Sequence, residues 1–81
     1  MDISAVTSAL SGLATGPVGP VASATAEALK IWNHYLQIDP VKDAKERREL
    51  LRKFKTKMKE VYLASPGQDV SNLIVDILAI V

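Results

Sequence analysis

Apolar residues recur at helical intervals in four stretches of the 81-residue chain. In the first, Ile3, Val6, Leu10 and Leu13 draw one stripe along a helix over about residues 2–15, with Asp2 as its N-cap. Beside that stripe run Ser4, Ser8, Gly12 and Gly16, each four residues beyond the last. A row of small side chains lets another backbone come very close, so this row is expected to line a helix contact. Gly16 and Pro17 stop the helix, since glycine suits the position after the cap and proline cannot continue the ladder. The segment "GPVGP" then reads as a short, stiff hinge, with Pro20 suited to the first turn of the next helix.

The second helix is expected over residues 20–37, with Ala24, Ala28, Ile31, Trp32 and Tyr35 on one face and a Glu27–Lys30 pair on its surface. Asp39 and Pro40 form a cap and first-turn pair for a third helix over residues 40–64. Its Leu50, Leu51, Phe54, Met58, Val61 and Tyr62 fall within an arc of roughly 120°, the width of a core-facing stripe. Arg47 projects from the apolar side near the start, while Asp43 with Arg47 and Glu49 with Lys53 have the spacing of surface ion pairs. Pro66 and Gly67 end this helix. Residues 69–81 give the last one, capped by Asp69, with Val70, Leu73, Ile74, Ile77, Leu78 and Val81 on a single stripe. A strand is the rival reading of "NLIVDILAIV", but it would have no partner strand. The expected fold is all-α, with three to four helices in one domain, extended or bundle-like and stabilised by oligomerisation. Its segments are a small-residue apolar hairpin (1–38), a basic amphipathic helix (39–65) and an apolar tail (66–81).

Charge divides the chain further. Nine of the ten basic residues lie in 42–60 with only four acids, giving that block +5, while the remainder carries −4. The chain has no cysteine and a single histidine, so neither a disulfide framework nor a thiolate metal site is available. Without those supports, a chain of this length has a thin stability margin. Oligomerisation or burial in a larger assembly is the support that remains. Asp2 stands where a secretory signal would carry basic residues, so no such signal is expected.

Little in the sequence suggests catalysis. His34 has no triad partner, and its closest candidate, Asp39, fits a helix-end interaction better. No phosphate loop, nucleophile motif or paired carboxylates occur. We therefore expect no enzyme activity, no cofactor, no metal and no small-molecule substrate. Residues 3–26 are uncharged over 24 positions, long enough to cross a bilayer, but hold seven Ser or Thr, three Gly and two Pro. Trp32 and Tyr35 read as core aromatics or as an interfacial belt. The basic face of the third helix, with Lys45, Arg52, Lys55 and Lys59, reads as solvated or as facing an acidic surface or phosphates, the four interleaved acids weakening the phosphate reading. The stripe formed by Leu51, Phe54, Met58, Leu73, Ile74, Ile77 and Leu78 is expected to hold an assembly together, with the last helix docked on the third in its own chain or a neighbour's.

The Ala/Gly/Ser segment, the Trp-containing junction, the Asp-Pro cap and the Lys/Arg/Glu-rich helix together resemble, in layout over residues 1–64, small phage-encoded proteins: minor virion, ejection and holin-like membrane proteins. The apolar tail departs from the polar tail of holin-like proteins. The resemblance implies a non-enzymatic structural protein, working by helix–helix contacts as a homo-oligomer or in a larger assembly, in a virion or the cytoplasm. A membrane-active or membrane-anchored protein stands second, and a nucleic-acid-binding accessory protein third.

Overall fold

The structure, a computed structural model, describes residues 2–16, 19–65 and 67–81. Within them the regular structure is helical throughout: α1 (Ile3–Ala14), α2 (Gly19–Gln37), α3 (Ala44–Ala64) and α4 (Gln68–Ile80). Pro17 and Pro66, expected to shape two of the turns, lie outside the described residues.

Each helix begins or ends for a local reason. The Asp2 carboxylate accepts the Ala5 N–H at 2.8 Å, as an N-cap should, and also the Ser4 hydroxyl at 2.8 Å. Both bonds favour the ionised carboxylate and hold its pKa below the ordinary range, the Ala5 N–H contributing most. At the other end of α1, Thr15 is the cap, and its hydroxyl bonds back to the Ser11 and Gly12 carbonyls. Gly16 follows without a left-handed φ, so the glycine-type stop expected there is not the one used. Its N–H instead bonds the Leu13 carbonyl at 3.2 Å. Asp39 accepts the Val41 and Lys42 N–H groups at 2.8 and 2.9 Å, the capping pattern expected of it. The turn it caps leads into α3, whose regular helix starts at Ala44 rather than at Pro40. In α4, Gly67 occupies the cap and Asp69 lies in the first turn, where its charge meets the positive helix end instead of bonding as a cap.

α2 packs against both α1 and α3, while α4 lies on α3 and reaches α1. One cluster fills the space between them: Val6 and Leu10 from α1, Val21, Ala28 and Trp32 from α2, Phe54, Met58 and Val61 from α3, and Ile74 and Ile77 from α4. Each of the larger side chains contributes about 1.5–3 kcal/mol by leaving water. Leu51, Leu73 and Leu78 pack around its margin. The α3 and α4 stripes therefore belong to a single core, and α4 docks on its own chain. Tyr62, placed at the edge of the α3 stripe by its helical phase, is 45% exposed instead of buried.

The small-residue row turns away from this core. Ser4, Ser8 and Gly12 are exposed. A Cβ added at Gly12 would meet nothing within 4 Å, so no helix of this chain packs there. At Gly16 an added Cβ would come within 3.3 Å of the Leu13 carbonyl of its own helix. The contact expected from Ser4, Ser8, Gly12 and Gly16 is thus not made inside the chain. The physical reason is that Val6 and Leu10, on another face of α1, bury far more apolar surface.

Candidate functional site

α3 has two chemically opposed faces. Leu50, Phe54, Met58 and Val61 bury one of them. On the other, Lys45, Arg48, Arg52, Lys55 and Lys59 follow one another at intervals of three and four residues. With 3.6 residues per turn they share an arc of roughly 80°, and the line they draw is about 21 Å long. Lys45, Arg48, Arg52 and Lys59 are exposed and Lys55 is half-buried. Arg48 is the member that a reading of the sequence as a solvated face leaves out. Its place follows from the same spacing that selects the other four.

Two of the acids interleaved with these cations in sequence, Glu46 and Glu60, are engaged by other cations, while Glu49 stays beside the stripe, lining a shallow surface hollow with Lys45, Arg48 and Arg52. Glu46 and Glu60 fall on the flank of the helix that carries Lys53 and Lys57. Glu46 lies 3.9 Å from His34 Nε2 of α2. Glu60 lies 2.9 Å from Lys57 Nζ, which also reaches Glu27 of α2 at 2.6 Å. The Lys57 hydrogen bond pulls the Glu27 pKa down, and the Glu27 and Glu60 carboxylates push the Lys57 pKa up. Among the described residues the ion pairs involve only His34 and Lys57 as cations, leaving the five stripe cations unpaired. Among the described residues none of the sequence-expected pairs Glu27–Lys30, Asp43–Arg47 and Glu49–Lys53 closes to ion-pair distance, and Glu27 pairs with Lys57 of α3 instead. His34 meets Glu46, not Asp39.

Arg47, the cation on the apolar side of α3, has a separate role. Its guanidinium carbon sits 4.2 Å from the centre of the Tyr35 ring. Tyr35 stacks on Trp32 at 5.3 Å, and Trp32 meets Phe54 at 5.0 Å. Arg47 therefore closes an aromatic ladder that runs from the core to the surface, a favourable cation–π position. Its buried Nε has no hydrogen-bond partner. This group lies in the contact between α2 and α3, on the side of α3 away from the basic stripe.

At the C-terminal end of the stripe, Tyr62 and Leu63 are exposed, Leu63 at 83%. Among the described residues no group of three or more His, Cys, Asp or Glu could hold a metal ion. No described helix is long and apolar enough to cross a membrane. The uncharged run that could span a bilayer as one segment is instead divided between α1 and α2. No protein family, curated protein or solved structure matches this chain.

Proposed function

We propose that this chain is a non-enzymatic interaction protein, a small subunit that joins a larger assembly through the outward face of α3. The observation that carries the reading is the unpaired basic stripe, held rigidly on a helix whose other face is locked into the core. The α3 and α4 stripes that suggest assembly in the sequence are used inside the chain, which leaves the outward face of α3 as the most strongly patterned surface to offer a partner. A row of unpaired cations attracts an anionic surface, and exposed Tyr62 and Leu63 add apolar contact at one end.

The test is the mass of the particle recovered at physiological salt from the protein's natural source. Wild type is compared with a variant carrying Lys45→Glu, Arg52→Glu and Lys59→Glu. The variant should keep its helicity and melting temperature yet lose the large species. A variant that enters the same particle as wild type would overturn the reading.

A further inference from the structure

We infer that the outward stripe of α3 binds the phosphate backbone of a nucleic-acid duplex. The inference rests on the reading of that face as the working surface, and it names the partner's chemistry.

Three observations lead to it. First, Lys45, Arg48, Arg52, Lys55 and Lys59 form a line, not a cluster. A straight row of about 21 Å can lie across the backbones of a duplex, which carries one phosphate charge for about every 1.7 Å of axis with both strands counted. Second, the stripe's field is only partly offset, by Glu49 beside Lys45, Arg48 and Arg52. Its cations are unpaired among the described residues, while Glu46 and Glu60 are turned to the other flank and held near His34 and Lys57. Of the interleaved acids that argue against phosphate binding in the sequence, Glu46 and Glu60 are thus engaged elsewhere, and Glu49 is left beside five cations. Third, the rest of the surface suits a duplex better than the alternatives. A single strand is gripped largely by successive aromatic stacking, but Trp32 and Phe54 are buried and Tyr35 is covered by Arg47, which leaves Tyr62 alone exposed at one end of the stripe. An anionic membrane would call for apolar side chains along the whole stripe, but the exposed pair Tyr62 and Leu63 stands only at its end. Contacts to phosphates position a protein without reading bases, so binding should be independent of sequence.

Fluorescence anisotropy with a labelled DNA duplex of mixed sequence, titrated between roughly 50 and 200 mM salt, measures the predicted interaction. Each neutralised phosphate contributes about −0.9 to the slope of log K against log salt, so five cations predict a slope of about −3 to −4.5. Arg52→Gln and Lys59→Gln should each reduce its magnitude by about one. Lys53→Gln removes the same charge from the other flank and should leave the slope unchanged, which separates the stripe from net charge. Circular dichroism confirms that each variant is folded. A duplex RNA of equal length distinguishes the two sources of the same backbone chemistry, and binding to either supports the inference. A slope shallower than about −1, an equal loss from Lys53→Gln, or stronger binding to a single strand or to vesicles rich in anionic lipid would overturn it. If duplexes are not bound but the triple reversal still removes the chain from its native particle, the inference fails and the docking surface stands, with an acidic protein as partner. If neither effect occurs, both fall.

Discussion

The indole N–H of Trp32 donates to the hydroxyl of Thr7 at 2.9 Å, tying α2 to α1. Trp32 is almost wholly buried, between Tyr35 and Phe54, so its one polar atom needs a partner inside the protein. Thr7 supplies it from α1, next to Val6 and close to the core face.

Thr7→Val keeps the shape of the side chain but leaves the indole N–H without an acceptor. It should destabilise the fold by about 1–3 kcal/mol. Thr7→Ser keeps an acceptor and should cost less. Denaturant titration followed by Trp32 fluorescence reads both changes, and equal midpoints for wild type and Thr7→Val would show that the bond contributes nothing.

Thr25 presents the opposite case. It is fully buried in α2, and its hydroxyl has no hydrogen-bond partner. Thr25→Val exchanges that hydroxyl for a methyl of similar volume and should stabilise the protein by about 1 kcal/mol. The expected sign is a higher denaturation midpoint with an unchanged slope. A lower midpoint would mean that the hydroxyl has a partner.

These two threonines show where sequence reading succeeds and where it stops. Helical spacing, the Asp2 and Asp39 caps and the buried positions on α1 and α4 are local, and the chain displays them directly. Whether Thr7 or Thr25 faces an indole or a dry core depends on how α2 crosses its neighbours. The same holds for Glu27. Its sequence neighbour Lys30 offers a surface pair, but Lys57 comes from another helix and wins at 2.6 Å. Arg47 looks misplaced on the α3 wheel until Tyr35 is brought beneath it. The basic stripe was partly legible, since four of its five members share a helical face. That Glu46 meets His34, and that Lys57 is drawn to Glu27 as well as Glu60, follows only from knowing which flank α2 occupies.

The acid limb of stability should depend on three carboxylates. Backbone N–H bonds lower the pKa values of Asp2 and Asp39 from 3.8, and Lys57 lowers that of Glu27 from 4.5. A depressed folded-state pKa contributes stability that is fully present above the unfolded value and is lost as pH falls through the folded value. These groups should therefore leave melting temperature unaffected down to about pH 4.5 and lower it progressively below that. Lys57 has the opposite sign: its raised pKa contributes stability below 10.5 that is lost at higher pH. Glu27→Gln should flatten both limbs, with melting followed by circular dichroism across the pH range. Unchanged limbs in that variant would mean the Glu27–Lys57 pair is too well solvated to matter.

Gly12 decides what the small-residue row of α1 does. In the isolated chain a Cβ at this position meets nothing within 4 Å, and glycine inside a helix costs about 0.5–1 kcal/mol relative to alanine. Gly12→Ala should therefore stabilise the folded chain by up to about that amount, reduced by the position's closeness to the helix end. Gly12→Leu should also fold normally, because its side chain enters solvent. The two variants diverge only if another helix packs on the row in an assembly. There alanine would fit or intrude slightly, while leucine would push the backbones apart. Light scattering on the purified variants, together with the native particle mass, separates the cases. Equal assembly by both variants leaves the α3 face as the working surface. Loss of the large species with Gly12→Leu alone would give α1 a partner as well, and would show that its stripe of Ser4, Ser8, Gly12 and Gly16 is kept small for a neighbour outside the chain.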